Sequence, residues 1–224
     1  LGDDSGGAIY NNGGSLTVIN STFTNNSATR YGGAIFNNGG SLTVTNSTFT
    51  NNTAYCGGAI YNKGGSLSMT NCTLTNNTVS EDGGAIYSKD GESFSMTNCT
   101  LTTNKAARYG GAIYKDGGRL TVMNCILADN TMNLEQGYGG AIFNNAGSLT
   151  VTNSAFTDNT AYWYGGAIYN NGSLTVTNST FTNNYAYGDG GAIYNNGSLT
   201  VTNSTLKNNT ASGDGGAIYN SGGS

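Results

Sequence analysis

Leu174, Thr175, Val176 and Thr177 alternate apolar and polar, the period-two pattern of a strand with one face buried. The same pattern recurs along the chain. Leu16, Leu42, Leu67, Phe94, Leu120, Leu149, Leu174 and Leu199 form one apolar column, and Val18, Val44, Met69, Met96, Val122, Val151, Val176 and Val201 form the next. A third column follows a short bend: Phe23, Phe49, Leu74, Leu101, Leu127, Phe156, Phe181 and Leu206. The fourth is the Ile of a Gly-Gly-Ala-Ile tetrapeptide, from Ile9 to Ile218. These tetrapeptides start at Gly6, Gly32, Gly57, Gly83, Gly110, Gly139, Gly165, Gly190 and Gly215, at spacings of 26, 25, 26, 27, 29, 26, 25 and 25 residues.

Each unit therefore predicts three short strands and a variable turn. So small a unit cannot bury its apolar face alone, whereas stacking each on the next builds a continuous core. The expected architecture is all-β: a single right-handed parallel β-helix over residues 1–224, with about nine coils of 25–29 residues. At one strand spacing per coil, about 4.8 Å, eight complete coils make a rod about 40 Å long. The right hand is borrowed from the rule for parallel crossovers. Neither end carries a distinctive capping segment, so the chain is expected to be part of a longer solenoid or a subunit that stacks end to end.

Two Asn columns accompany the strands. Asn20, Asn46, Asn71, Asn98, Asn124, Asn153, Asn178 and Asn203 follow the middle strand, and Asn26, Asn52, Asn77, Asn104, Asn130, Asn159, Asn184 and Asn209 follow the third. Asn at a bend bonds the local backbone, tolerates unusual dihedrals and stacks amide on amide, so a structural ladder is the expected role. Several also satisfy the N-x-S/T acceptor pattern, as at Asn178-Ser179-Thr180.

The GGAI tetrapeptide paired with Phe/Leu-x-x-Asn, as in Phe23-Thr24-Asn25-Asn26, resembles the repeat of chlamydial polymorphic outer-membrane proteins. The wider pattern GGAIYNNGSLTVTNSTFTNN is similar to repeats in adhesin-like surface proteins of methanogenic archaea and other microbes. The resemblance covers essentially the whole chain. It implies an extracellular or cell-surface β-helical stalk, passenger or filament subunit with a role in attachment. The implied partner is a host or microbial surface glycan, a surface protein, or another copy of the rod.

Composition narrows the alternatives. The 224 residues include 36 Gly, 34 Asn and 31 Thr, no Pro and no His, and only 9% are charged. Asn, Thr and Gly are poor helix formers, and no triplet Gly period points to collagen. The net charge of -4 supplies no basic field for nucleic acid, and no apolar run approaches the roughly 20 residues of a membrane span.

Catalysis is disfavoured, because twelve acids are spread over nine coils and no His is present as a general base. Neither a cofactor site nor a metal site is expected. Asp82, Asp189 and Asp214 share the position before Gly-Gly, and Asp189 and Asp214, on successive coils, read as two solvated turn carboxylates rather than a weak cation site. Half of the twenty charged residues, Lys115 and Glu92 among them, fall within positions 81–119. They read as a solvated or protein-facing patch. The insertion Thr131 to Tyr138 gives the longest unit, and longer turns commonly carry binding.

Three column features remain. Tyr10, Phe36, Tyr61, Tyr87, Tyr114, Phe143, Tyr169, Tyr194 and Tyr219 follow the Ile of each GGAI. If Ile points inward, alternation puts them outside as an exposed ladder, and the opposite register buries them. In the variable turns, Tyr162, Trp163 and Tyr164, with Tyr185 and Tyr187 of the next coil, form the best candidate contact for a sugar or protein surface, with purely structural stacking of turn on turn as the alternative. Cys72, Cys99 and Cys125 occupy one column where other coils carry Ser, and read as buried Ser-sized thiols or as one disulfide.

The rival reading to adhesion comes from outward Thr pairs. Thr43/Thr45, Thr150/Thr152, Thr175/Thr177 and Thr200/Thr202 present hydroxyls about 7 Å apart along the strand and about 4.8 Å apart between coils. Such rows resemble the lattice of β-solenoid ice-binding proteins. Ser68, Ser95, Ile19 and Met123 interrupt them. A polysaccharide-active enzyme is the weakest reading.

Overall fold

The computed structural model describes residues 4–91, 93–132 and 137–222. Glu92, named in the charged patch, and residues 133–136 of the long-unit insertion lie outside the described residues. Every described pairing between strands is parallel and joins one coil to the next. A nine-stranded sheet runs from Ile9–Asn12 to Ile218–Asn220. An eight-stranded second sheet runs from Leu16–Ile19 to Leu199–Thr202, and an eight-stranded third sheet from Thr22–Thr24 to Thr205–Lys207. The chain is thus a parallel β-helix, as the repeat predicts. One element was not expected: two-residue strands, from Thr53–Ala54 to Thr210–Ala211, form a seven-stranded fourth sheet inside what reads as the variable turn.

Like residues stack on like in strict register. Ile35 pairs with Ile60, Leu42 with Leu67 and Val151 with Val176. The Phe23 and Phe49 rings are nearly parallel, with centroids 4.8 Å apart, and Phe156 and Phe181 repeat the contact at 4.7 Å. The four predicted apolar columns meet in one core along the rod. Each fully buried side chain of this size contributes about 1.5–3 kcal/mol, a contribution that recurs with every coil.

The Gly-Gly pair makes the corner that turns the chain into the Ile strand. Gly32 has φ +64°, and a Cβ there would lie 2.1 Å from the Ile35 carbonyl oxygen. A Cβ on Gly33 would lie 2.1 Å from the Gly58 carbonyl oxygen of the next coil. The first glycine therefore supplies the left-handed dihedral and the second the close approach between coils.

The two Asn columns differ in environment. Asn20, Asn46, Asn71, Asn98, Asn124, Asn153, Asn178 and Asn203 all have φ of 49–54° and stand exposed at the bend between the second and third sheets. The other column is buried from Asn52 to Asn184. There, the Asn77 backbone N–H and Nδ2 both donate to Asn104 Oδ1 at 3.0 Å, and Asn104 Nδ2 donates to Leu74 O at 3.0 Å. Repeated coil after coil, this bonding satisfies backbone groups that have no strand partner at the corner.

A third Asn ladder lies in the first sheet, two residues past each Ile. Asn37, Asn62, Asn144, Asn170 and Asn195 are buried, and Asn37 Nδ2 donates to Asn62 Oδ1 at 2.7 Å and to Gly40 O at 2.6 Å. Ser88 and Lys115 interrupt it. Lys115, expected on a solvated or protein-facing patch, is 0% exposed, because the alternation that turns Tyr114 away from the core turns its neighbour inward. Its Nζ donates to the carbonyls of Gly91 at 3.4 Å, Asp116 at 3.5 Å and Gly117. Burial lowers the Lys115 pKa below its usual value.

Candidate functional site

Alternation places Ile of the first sheet inside and the following aromatic outside, which settles the two registers left open by the sequence. The rings are nevertheless not an exposed ladder. They stack on one another outside the core: Tyr61 on Tyr87 at 4.7 Å, Tyr87 on Tyr114 at 4.5 Å, Tyr114 on Phe143 at 5.3 Å and Phe143 on Tyr169 at 4.9 Å. The turn residue before Gly-Gly then folds over them. Tyr31 packs 4.5 Å from Tyr61, Tyr109 4.7 Å from Phe143, and Tyr164 4.6 Å from Tyr194. Tyr61 is consequently only 4% exposed. Burial raises the pKa of Tyr61, Tyr87 and Tyr169, and that of Tyr114 to about 12, so these phenols stay protonated at neutral pH.

The position before Gly-Gly thus has a packing role, the structural alternative for the turn aromatics, here with the ring stacking on the strand aromatics. Cys56 occupies it beside Phe36 and Tyr61, and burial raises its thiol pKa to about 12. Asp82 occupies it on the next coil. Burial raises its carboxyl to about 6 against the opposing pull of Arg108, and its Oδ1 is buried. Asp214, by contrast, is exposed, and its backbone N–H donates to Asp189 Oδ1 at 2.7 Å. Among the described residues no group of three or more His, Cys, Asp or Glu side chains is placed to hold a metal ion.

The predicted contact turn is brought together across two coils. Trp163 is 41% and Tyr187 56% exposed. Tyr162 lies 5.3 Å from Tyr187, Tyr185 meets Tyr187 edge-on at 4.8 Å, and the Tyr185 hydroxyl bonds Ser212 Oγ at 2.8 Å. Tyr164 joins this group to the ladder: it stays 6.0 Å from Trp163 while it stacks on Tyr194. A second aromatic surface escaped the sequence reading. Tyr10, Tyr31, Phe36 and Tyr61 floor a hollow of about 210 Å³ whose rim carries Lys63 and Lys89, register neighbours on consecutive coils.

The predicted Thr rows face outward on the second sheet. Thr150, Thr175 and Thr200 are in register, as are Thr152, Thr177 and Thr202, while Thr43 pairs with Ser68 and Thr45 with Thr70. The third sheet carries a longer array that the sequence reading passed over. Thr22/Thr24, Thr48/Thr50, Thr73/Thr75 and Thr100/Thr102 lie in register on four consecutive coils, and the Thr75 and Thr102 hydroxyls bond at 3.1 Å. The signal was present as T-F/L-T, masked because that strand was identified by its central apolar residue alone.

Cys72, Cys99 and Cys125 are free and buried, so no disulfide links them. Their thiols point to the carbonyl two residues back, Cys72 Sγ to Thr70 O and Cys99 Sγ to Thr97 O at 3.3 Å each. The Ser residues of the column do the same, as Ser154 Oγ does to Thr152 O at 2.8 Å.

No helix among the described residues is long and apolar enough to cross a membrane. No curated protein and no solved structure matches the chain. The family model described as right-handed beta helix region matches residues 2–123 and 58–224. With nearly the whole chain matched and the parallel stack described above, the protein belongs to the right-handed β-helix family.

Proposed function

We propose that the protein is a stiff extracellular or cell-surface rod that holds aromatic turns out to a surface glycan or protein. The observation that carries this reading is the cluster of Trp163, Tyr162, Tyr185 and Tyr187, in which exposed Tyr187 meets Tyr185 of its own coil edge-on and Tyr162 of the preceding coil at a tilt, beside exposed Trp163. Rings with polar tips suit sugar and protein surfaces, and a rigid sheet beneath them lowers the ordering cost of a contact. The repeat supports an adhesin-like role through its resemblance to microbial surface proteins. Binding of the chain to immobilised glycans and to cell surfaces tests it. Trp163→Ala combined with Tyr187→Ala is expected to lower binding tenfold or more with an unchanged circular dichroism spectrum, and unaltered binding would remove this turn as the contact.

A second reading is favoured by one observation, the unbroken Thr array of the third sheet from Thr22 to Thr102. A flat two-by-four hydroxyl lattice is the kind of surface that ice-binding solenoids present. Thermal hysteresis of the unaltered chain decides it. Activity that disappears in Thr48→Lys/Thr73→Lys supports ice binding at the third sheet, loss in Thr175→Lys/Thr200→Lys moves it to the second sheet, and no activity in the parent ends the reading.

A further inference from the structure

We propose that the tyrosines outside the core form a path that moves a one-electron oxidation along the rod, from Trp163 to Tyr31. The evidence is an unbroken series of ring contacts between oxidisable side chains. Trp163 lies 6.0 Å from Tyr164, and Tyr164 lies 4.6 Å from Tyr194 and 5.4 Å from Tyr138. At the other end, Tyr114, Tyr87, Tyr61 and Tyr31 follow at 4.5, 4.7 and 4.5 Å. Rings at van der Waals separation overlap enough for electron exchange.

Phe143 is the critical position. Phenylalanine has no ionisable hydroxyl and is far harder to oxidise than tyrosine, so a ladder running only through the GGAI aromatics would be cut between Tyr114 and Tyr169. The turn tyrosines supply a detour around it. Tyr114 contacts Tyr109 at 6.3 Å, Tyr109 contacts Tyr138 at 5.5 Å, and Tyr138 contacts Tyr169 at 5.2 Å. Phe36 closes the path at the far end: Tyr10 touches it at 5.0 Å, while Tyr31 reaches Tyr61 directly.

The chemistry balances without a stored reagent. A one-electron oxidant in solvent removes an electron from exposed Trp163, whose indole N–H proton passes to water. The resulting radical takes an electron from Tyr164, and the phenol proton of Tyr164 returns to the indole nitrogen through solvent. Each later step converts one phenoxyl radical and one phenol into one phenol and one phenoxyl radical: an O–H bond forms on the first ring as one breaks on the second. Exchange between like groups is close to thermoneutral. Because the buried phenols are held protonated at neutral pH, each rung carries the hydrogen that the exchange requires. From Trp163 to Tyr31 the path spans five coil spacings, about 24 Å, well beyond direct contact.

Trp163 is the chain's single tryptophan, so light at the red edge of indole absorption ionises it alone. The experiment irradiates the full chain with a cobalt(III) ammine as irreversible electron acceptor and a nitroso spin trap, then maps trapped tyrosines by peptide mass spectrometry. Trapping at Tyr31 is expected in the parent. Tyr10, behind Phe36, and Tyr55, whose ring lies off the path, are both about half exposed and are expected to stay unlabelled. Tyr109→Phe/Tyr138→Phe keeps every ring and is expected to fold identically. It should lower Tyr31 trapping at least tenfold while Tyr219, which stacks on Tyr194 at 4.9 Å, remains labelled, and adding Phe143→Tyr should restore it. Absence of Tyr31 trapping in the parent, equal trapping in the double variant, or Tyr10 and Tyr55 labelled as heavily as Tyr31 would each overturn the proposal.

Discussion

Lys115 lies in register with Asn144 of the next coil, yet Asn144 Oδ1 has no hydrogen-bond donor among the described residues. Elsewhere in this ladder the preceding Asn supplies the donor, as Asn144 Nδ2 does for Asn170 Oδ1 at 2.6 Å. Lys115 instead directs its protons to the turn carbonyls, and Ser88 Oγ on its other side also has no partner among the described residues. One substitution has thus interrupted the ladder on both sides.

Lys115→Asn is therefore expected to stabilise the protein. It removes a buried amine, gives Ser88 an acceptor and restores a donor to Asn144. A buried unsatisfied group costs about 1–3 kcal/mol, so a gain of about 1–3 kcal/mol in urea unfolding is expected. A loss of stability would show that the lysine's contacts with the Gly91, Asp116 and Gly117 carbonyls outweigh the repaired ladder.

Asn104→Ala probes the intact ladder. It strips the acceptor from the Asn77 backbone N–H and Nδ2 and the donor from Leu74 O. Several buried groups are left bare at once, so a loss of about 3 kcal/mol or more is expected in the same assay. Asn98→Ala, at the exposed ladder, is expected to cost far less, since water replaces its side-chain partners.

The Cys column predicts thiols rather than a bridge. Intact mass with and without reductant should be the same, and a thiol reagent should label Cys72, Cys99 and Cys125 only after unfolding. Cys99→Ser is expected to change stability by less than about 1 kcal/mol, because Ser already fills the same place in other coils with the same carbonyl contact.

Asp82 predicts a pH dependence. Burial raises its carboxyl from 3.8 to about 6, so the folded state holds this proton more tightly than the unfolded chain. That contribution to stability is complete below the unfolded pKa and is lost as pH rises through about 6. Unfolding free energy should fall across this window by about 1–3 kcal/mol more in the parent than in Asp82→Asn. Parallel pH profiles for the two proteins would show that the carboxyl titrates as it does in water.

The core columns were legible because burial imposes a strict code on one side of a strand. Leu42, Val44 and Phe49 can face only inward, and their period of two says so. The inward Asn of the first sheet was not legible. Asn37 follows an aromatic and precedes Asn38 and Gly39, a run that reads as a turn, and only coil-to-coil amide pairing shows that it belongs to the core. Two-residue strands such as Thr53–Ala54 carry no period at all. The turn tyrosines were recognised as aromatics at corners, but whether Tyr164 faces solvent or the ladder depends on how the corner folds over the strand, and alternation is silent there.

The direction of the amide bridges has an electrostatic consequence. In the two buried ladders each side chain donates to the later coil, Asn52 to Asn77 and Asn170 to Asn195. In the exposed rows the bridges run to the earlier coil, as from Asn71 to Asn46, Asn98 to Asn71 and Asn124 to Asn98. Strings of aligned amide dipoles therefore run both ways along the axis. A helix of aligned peptide dipoles builds a charge at each end, whereas these strings oppose one another in part, so the field that the side-chain amides build along the axis as the stack lengthens is smaller than the buried ladders alone would give.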